Sequence, residues 1–406
     1  IITAEFNRRP SSYPSGLTAV GYWLEVFSSS ASLNAFPFSA PTPQSNNNYL
    51  MRYGHFGTGG ASFGMGSMFT NCVSLRAVYP LPNIGTTQST SNCFSGCFQL
   101  VHIAPINTFG VFPGNTFSSC RKLRAIKGPT DLGNATLSTF MLGCSSIMFL
   151  QDMTTGTNIA TSAFNGCISL KKIKITFTSP NVNCSSTFNG CTLLENIDLV
   201  IPSVINSNSM FSGCGKLKSV PLFNTNNSTN IASMFNTCTS LKIIPAFNFS
   251  SATDINSLCL NCSSLEIFEP ILFNSATIAT SMLSGCNSLI NIGTLIVPLV
   301  NSQASMFLSC ASLREIPAIN FAAHNSATIY TNFLINCPNL TAFKALNISN
   351  NLLILSRIPT AGLVEVFNNL PTVTAKTITI TNCLGAAGLT SANRLIATNK
   401  GWTVTG

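Results

Sequence analysis

One pattern of twelve residues recurs along this chain and constrains its fold more than any other feature. Three clear copies are 210–221 (MFSGCGKLKSVP), 234–245 (MFNTCTSLKIIP) and 306–317 (MFLSCASLREIP). After each copy come about a dozen residues rich in Asn, Ser, Thr and Ala. A pattern that returns at a fixed period predicts a chain built from stacked copies of one structural unit.

Twelve cysteines, which we call the ladder cysteines, mark the repeat at spacings of 23–25 residues, with a last spacing of 27. They are Cys72, Cys97, Cys120, Cys144, Cys167, Cys191, Cys214, Cys238, Cys262, Cys286, Cys310 and Cys337. Three residues before each lies an apolar residue, usually Phe, and three residues after each lies Leu or Ile. The sixth residue after each is Val, Ile, Leu or Phe. These offsets predict continuous buried columns.

A single unit of this length cannot bury its apolar face alone, so stacking must supply the core. The period lies within the range of leucine-rich repeats. We therefore predict a repeat solenoid that is leucine-rich-repeat-like and β-rich. It should have short helical or 3₁₀ turns before each Phe-x-x-Cys, about 12 turns of 23–25 residues, and a cap at each end.

The pattern F-x-x-C-x-x-L-x-x-I-P resembles the BspA-like leucine-rich repeats of microbial surface and virion proteins. The resemblance covers about 67–343 and implies a recognition role at a surface. One departure is the Pro directly after the Ile, as in Pro245 and Pro317. Because proline cannot donate to a strand ladder, we expect the strand there to be split or shifted. The spacings 244–249 and 316–321 match the leucine-rich-repeat strand signature.

Three regions follow from where the pattern begins and ends. We predict an N-terminal cap over 1–66, with a degenerate first repeat at 24–37 and a Gly/Asn/Pro-rich insertion or loop over 38–66. The solenoid occupies 67–343 and a C-terminal cap occupies 344–406. The cap should contain helices over 360–370 and 390–399, capped by Thr360 and Thr390, and strands over 377–381 and 402–404. Its sequence is similar to the C-terminal ends of repeat proteins in phage tail and Bacteroidales surface proteins.

Composition excludes several classes of protein. Charged residues make up 8% of the chain, and its net charge is +9. The basic residues are scattered, apart from two short runs at 121–124 and 171–174, so we expect no nucleic-acid partner. No apolar run is long enough to span a membrane. The chain begins with Ile-Ile-Thr and has no visible signal peptide, so we expect a processed or truncated start.

The cysteines have two possible roles. Neighbouring ladder cysteines would lie within disulfide range, but side chains in identical register point the same way. We favour free buried thiols, which behave as small hydrophobic groups. Cys93 and Cys259 also fall at core offsets, and we assign the pair Cys259 and Cys262 to the core rather than to a zinc site. We predict no metal and no cofactor.

Catalytic groups are sparse. His55, His102 and His324 have no Cys, Asp or Glu at ligand spacing, and no nucleotide-binding, nucleophile-elbow or zinc-protease motif occurs. Glu195 with Asp198, like Glu266 with Glu269, is separated by three residues, which places the two carboxylates on opposite faces of a strand. We predict that the protein is not an enzyme.

Charged residues recur four positions after the ladder cysteines. They are Arg76, Arg124, Lys171, Glu195, Lys218, Lys242, Glu266 and Arg314. One interpretation is a solvated face of mixed sign that opposes aggregation. The other is a ligand face, with Lys171, Lys218, Lys242 and Arg314 as its charged contacts with phosphate or carboxylate.

Two hypotheses of function remain open. The first is a non-enzymatic adhesin or receptor-binding protein of a phage virion (tail fibre type) or a microbial surface, located outside the cell. It would bind a cell-surface glycan or receptor protein and contact other virion or surface-assembly proteins. The second is a structural subunit of a virion, tail, surface layer or filament that self-assembles, with a possible homo-oligomer.

Overall fold

The structure is a computed structural model. It describes residues 22–26, 50–55, 67, 69–73, 75–78, 91–103, 114–126, 131–134, 136–269, 271–293, 295–297, 299–321, 330, 332–346, 348, 350–381 and 383–406. These form two compact units. Unit 1 comprises Ile1–Val182 with Ser186–Pro202, and unit 2 comprises Asn183–Ser185 with Ser203–Gly406.

Unit 1 is built from short strands in parallel sheets. The strands are β1 (Tyr22–Val26), β2 (Leu50–His55), β3 (Ala77–Val78), β4 (His102–Ile103), β5 (Ala125–Ile126), β6 (Phe149–Leu150), β7 (Met153–Thr155), β8 (Lys172–Phe177), β9 (Val182–Asn183, across the boundary between the units) and β10 (Asn196–Val200). The sheet orders within unit 1 are β1-β2-β3-β4, β5-β6 and β10-β8-β7. Their pairings are parallel.

Unit 2 continues the same construction and contains the α-helices of the described chain. Its elements are β11 (Val204–Asn206), β12 (Ile243–Ile244), β13 (Ile267–Phe268), β14 (Ile271–Leu272), β15 (Asn291–Ile292), β16 (Leu295–Val297), β17 (Glu315–Phe321), β18 (Ala342–Leu346), β19 (Leu352–Leu353), α1 (Thr360–Asn369), β20 (Lys376–Thr379), a 3₁₀ helix (Ala386–Gly388), α2 (Ser391–Thr398) and β21 (Trp402–Thr405). Three parallel sheets have the orders β12-β13-β15, β14-β16-β17-β18 and β19-β20-β21. Ile243 pairs with Ile267, which pairs with Asn291, so strand partners are separated by one period.

The fold is therefore the predicted β-rich solenoid of about 12 turns. We name each turn by its ladder cysteine. The Phe, Cys and Leu columns are buried in every turn, as the offsets predict. Aromatic rings stack from turn to turn, with centroids 5.3 Å apart for Phe69 and Phe94 and 5.8 Å apart for Phe211 and Phe235. The period of the sequence thus becomes the stacking period of the core.

The segment before each ladder cysteine forms 3₁₀-type turns rather than a continuous helix. In the Cys238 turn, the N–H groups of Asn236 and Cys238 donate to carbonyls three residues earlier. Residues five and one before each ladder cysteine have positive φ, and they are Ser, Asn, Thr or Gly. Gly takes this conformation without steric cost, and Asn is the next most tolerant residue. The positive φ angles direct alternate N–H groups towards the next turn of the solenoid, and this stops a helix from propagating.

These N–H groups form hydrogen bonds that join one turn to the next. Ser233, Phe235 and Thr237 donate to the carbonyls of the next turn at 2.8, 2.9 and 2.7 Å. Equivalent bonds recur along both units. Because each buried backbone donor needs a partner, this three-bond ladder fixes the register of one turn on the next.

The ladder cysteines are buried thiols rather than disulfides, as predicted, and the same holds for all sixteen cysteines. Their role is more specific than filling space. Cys238 Sγ donates to Phe211 O at 3.1 Å, and Cys262 Sγ donates to Phe235 O at 3.0 Å. Each thiol thus bonds the carbonyl three residues before the ladder cysteine of the preceding turn. Cys259 and Cys262 both lie in the core, as predicted.

The prolines split or shift the strands, as expected. β12 ends directly before Pro245, and the β17–β18 register shifts between Ile316 and Ile319, on either side of Pro317. The strand signature at 316–321 lies in β17, whereas only the first residue of 244–249 belongs to a strand. Assigning that second signature to a strand was wrong, because a buried side chain such as that of Phe249 does not require strand pairing.

The C-terminal region contains the predicted elements within a residue or two. α1 ends at Asn369 before Pro371, and α2 has a capping box between Thr390 and Asn393. The prediction that Thr360 caps α1 was wrong. Pro359 is the N-cap, and the Thr360 hydroxyl donates instead to Gly385 O at 3.0 Å.

The same region also continues the thiol ladder. Ser356 Oγ donates to Leu334 O at 3.5 Å, and Cys383 Sγ donates to Ile354 O at 3.3 Å. Both donors are buried, as the ladder cysteines are. The C-terminal segment therefore repeats the bonding between turns, with Ser in place of Cys at one step.

The N-terminal region contains two strands, β1 and β2. β2 pairs with β3, which places Tyr53 beside Val78, and β1 pairs with β2. The segment 38–66, interpreted from sequence as an insertion or loop, thus contains a strand. Most of the degenerate repeat at 24–37 lies outside the described residues.

Candidate functional site

The strand face of the solenoid presents one regular row of side chains to solvent. The residue three after each ladder cysteine is fully buried, and the residue four after it is exposed or half-exposed in every turn. In unit 2 the row contains Lys242, Glu266, Ile290, Arg314 and Thr341. Each of their N–H groups after the first donates to the carbonyl of the preceding member, at 2.9, 3.1, 3.5 and 2.8 Å. Hydrogen bonds therefore hold these side chains in line, one strand spacing apart.

The four predicted contacts fall in both units. Lys171 lies in unit 1, and Lys218, Lys242 and Arg314 lie in unit 2. All four are exposed. Lys242 and Arg314 belong to the row just described and are three turns apart, which corresponds to about 14 Å at the usual strand spacing. The structure thus places two of the candidates in one continuous row.

Lys242 is partly neutralised by its neighbour in that row. Its Nζ lies 2.8 Å from Glu266 Oε1. The hydrogen bond to Glu266, with the attraction of that carboxylate, raises the pKa of Lys242. Arg314, by contrast, forms no ion pair within the described residues. Of these two, Arg314 is the cation available to an external anion.

Alternating charges recur elsewhere on the strand face. Lys174 lies between Asp152 and Asp198, at 3.7 and 3.6 Å. In unit 2, the Nζ of Lys344 lies 3.3 Å from Glu315 and 3.7 Å from Glu365, and the hydrogen bond to Glu315 is the main cause of its raised pKa. Exposed pairs of this kind contribute little to stability. They do remove net charge from the surface that a partner would meet.

Apolar side chains share this face, although only its charged residues were predicted from the sequence. Ile243 and Ile267 are directly paired and are 47% and 40% exposed, and Ile290 follows in the adjacent row. In unit 1, Phe149 is 65% exposed beside Met148. Met148 and Ile290 lie four residues after a ladder cysteine, at the offset that identified the charges, and the other three lie at the next offset. The face is amphipathic rather than purely polar.

A cavity of about 420 Å³ lies in unit 2, beside residues that adjoin the last three ladder cysteines. Its lining includes Asn287, Ser309, Asn336, Pro338, Leu355 and Arg357. Across the cavity wall, Asn336 Nδ2 lies 3.5 Å from Ser309 Oγ. It supplies amide, hydroxyl and guanidinium groups but no nucleophile and base in contact.

Groups that hold metals or perform acid–base chemistry are not brought together. Among the residues described, no cluster of three His, Cys, Asp or Glu side chains could bind a metal ion. His102 lies on β4, and His55 lies on β2, while His324 lies outside the described residues. The carboxylate of Asp198 is engaged by Lys174. No helix in the described part of the chain is long and apolar enough to cross a membrane.

Two protein-family models each match part of the chain. Residues 65–170 match the BspA type leucine rich repeat region in six copies. Residues 159–271 match the family described as Mycoplasma protein of unknown function, DUF285. No curated protein matches the chain.

Solved structures of leucine-rich repeat proteins are among those similar to this chain. A leucine-rich repeat protein from Bacteroides ovatus has 19% identity and a TM-score of 0.43, covering 82% of this chain and 79% of that one. A leucine rich cell surface protein from Faecalibacterium prausnitzii has 16% identity and a TM-score of 0.23, covering 61% and 79%. A TLR13–ssRNA13 complex has 15% identity and a TM-score of 0.25, covering 79% and 53%. At these TM-scores none of the three similarities bears on function.

Proposed function

The chain carries leucine-rich repeats of the BspA type, and from this we propose that it is a non-enzymatic recognition protein at a surface. Its setting is extracellular, on a microbial cell or a virion, in the manner of an adhesin or a tail-fibre receptor-binding protein. Its partner is a glycan or a receptor protein on another cell. The same face would meet the neighbouring proteins of its own assembly.

One observation carries this proposal. The row from Lys242 to Thr341 repeats an exposed position over five successive turns, held in line by backbone hydrogen bonds. A partner that extends along the row can make one weak contact per turn, and contacts on one rigid support sum in free energy. Exposed isoleucines beside charged groups give this face the mixed chemistry of a protein or glycan interface.

The charged candidates in this row are tested with a double variant, Lys242→Ser with Arg314→Ser. A matched control, Lys122→Ser with Arg394→Ser, removes the same charge from residues outside the row. Binding to an array of microbial and mammalian surface glycans and to whole cells is measured at low and moderate salt. We expect weaker binding for the first variant only, with the larger loss at low salt, because salt screens exposed charges. Equal binding by the two variants and the wild type at both salts would reduce the row to a solvated face.

A structural subunit is the second candidate, favoured by the paired exposed side chains of Ile243 and Ile267. A contiguous apolar patch on a strand face also fits a second copy of the chain. Particle mass in solution separates the two functions. A monomer or small closed oligomer supports recognition, and an open polymer supports self-assembly.

A further inference from the structure

The two basic runs of the sequence lie close together on the strand face of unit 1. Arg124 belongs to the Cys120 turn, and Lys171 and Lys172 belong to the Cys167 turn. The turn between them presents Met148 and Phe149. Met148 N donates to Arg124 O at 2.9 Å, Phe149 pairs with Ala125, and β6 lies beside β8, which begins at Lys172. Stacking has therefore placed an aromatic ring between cations that are distant in sequence.

The Phe149 ring lies outside the buried core. Phe149 is 65% exposed, whereas the Phe residues of the core column are buried. Leaving so large an apolar side chain in water loses the stabilisation that burial would supply. An exposed aromatic group with a basic residue on either side is the composition of a contact surface.

The cations around this ring are available. Within the described residues, Arg124, Lys171 and Lys172 form no ion pair, and all three are exposed. The contrast with Lys174 is direct, since that side chain lies between two carboxylates. Positive charge is thus neutralised at Lys174, in the first half of β8, and left free at the start of the strand, near Phe149.

We propose that this surface binds an acidic polysaccharide. We call it the Phe149 patch, and it comprises Arg124, Met148, Phe149, Lys171 and Lys172. The guanidinium and ammonium groups would pair with sugar carboxylates, and the apolar C–H face of a pyranose ring would pack on the phenyl ring. The inference rests on the proposed function, because it names the ligand class for the strand face in unit 1.

Charge density favours a polysaccharide over a nucleic acid. Single-stranded nucleic acids bind basic grooves in which several aromatic side chains stack on successive bases. The Phe149 patch has one such ring. Its borders are acidic, with Glu195 next to Lys171 in the exposed row and with Asp152 and Asp198 beyond on the same face. A chain that carries a phosphate at every unit would be repelled there, whereas sparse carboxylates can fall on the three cations.

Binding of purified protein to immobilised polymers tests the inference. The probes are polygalacturonate, hyaluronan, neutral dextran, an oligo-dT strand and polyglutamate, at 50 and 300 mM salt. We expect binding to hyaluronan, which carries a carboxylate on every second sugar, weaker binding to polygalacturonate, which carries one on every sugar, and no binding to dextran. Phe149→Ser should weaken hyaluronan binding by about threefold to tenfold, the range for the geometric part of an aromatic contact. The pair Lys171→Ser with Lys172→Ser should weaken it by about twofold to tenfold at 50 mM salt and less at 300 mM.

Controls separate binding from folding. Phe149→Ser should melt as the wild type does, because the residue is mostly exposed. Lys216→Ser with Arg394→Ser removes two positive charges from unit 2, outside the patch, and should bind as the wild type does. Unchanged binding of both patch variants would overturn the proposal. Tighter binding of oligo-dT, or equal binding of polyglutamate, would overturn the polysaccharide assignment. If the wild type binds neutral glycans or a receptor protein but no acidic polymer, this inference fails alone. If it binds no surface component at all, the proposed function fails as well.

Discussion

Replacing Phe235 with Ala removes one ring from the buried column of unit 2. The side chain is fully buried and stacks on Phe211 at 5.8 Å, with Phe247 at 6.3 Å on another side. A Phe side chain buries about 150–250 Å², which at about 25 cal/mol per Å² amounts to about 4–6 kcal/mol. Real unfolded chains are already partly compact, which lowers this figure by about 10–40%. We therefore expect a loss of about 3–5 kcal/mol, the range found for Phe→Ala in cores.

The damage should extend to the turns on either side. In a solenoid each turn is stabilised mainly by its neighbours, so a cavity in one turn weakens two interfaces. The backbone bonds that report on those interfaces are Phe211 N to Met234 O at 2.9 Å and Glu266 N to Lys242 O at 2.9 Å. We expect faster hydrogen exchange at both amides. The exchange rate of the Ile378 amide, which lies in the C-terminal sheet, should change little.

Urea unfolding followed by circular dichroism and by tryptophan fluorescence measures the loss. With a slope of about 2–3 kcal/mol per M, the midpoint should fall by about 1–2 M. Phe149→Ala is the matched control, because it removes the same ring from an exposed position and should shift the midpoint little. Equal midpoints for Phe235→Ala and Phe149→Ala would refute the register of the core columns. Exchange that changes only within the Cys238 turn would refute coupling between neighbouring turns.

The remaining predictions concern the thiols and the C-terminal segment. In a native sample at pH 8, the ladder cysteines should react slowly with a thiol reagent, because burial raises the pKa of Cys72 and Cys337 to about 11 and of Cys144 and Cys191 to about 12. After unfolding without reductant all sixteen should react; a lower count would indicate disulfides. Stability should be constant below the unfolded thiol pKa of about 8.5 and fall as pH rises above it, because thiols ionise in the unfolded chain before they do in the folded one. A urea midpoint unchanged between pH 7 and pH 9.5 would contradict this. Lys400 Nζ donates to the carbonyls of Phe367, Asn368 and Leu370 at 3.2, 2.7 and 2.9 Å, at the end of α1. Lys400→Met should therefore destabilise unit 2 by about 1–3 kcal/mol in the same urea assay, with Lys122→Met unchanged as its control.

The thiol ladder explains why the repeat uses cysteine rather than another small apolar residue. Its side chain fills a position in a packed column and also donates a weak hydrogen bond to a buried carbonyl of the preceding turn. Phe211 O already accepts from Cys214 N at 3.0 Å, and Cys238 Sγ uses its second lone pair. Alanine or valine would leave that lone pair without a donor. Serine performs the same role at Ser356, where the chain changes from repeats to helices.

The architecture could be predicted because every turn carries the same offsets. Phe235, Cys238 and Leu241 are buried for the same reason as their counterparts one period away. Each of the twelve copies therefore supports the same assignment of core positions. The positive φ angles could not be predicted in the same way. Ser233 is compatible with many backbone conformations, and only the bonds to the next turn select this one.

The sequence by itself determined which residues form the core, because burial follows from a local period and from the need of each unit to cover its neighbour. It also determined which positions face solvent, including Lys171, Lys218, Lys242 and Arg314. Only the tertiary structure decided which charges remain available. Lys174 and Lys242 were equivalent to any other lysine until stacking placed carboxylates beside them. It likewise decided that Phe149 lies among Arg124, Lys171 and Lys172, because proximity between residues a whole period apart is created by the stacking of turns and is absent from the order of residues along the chain.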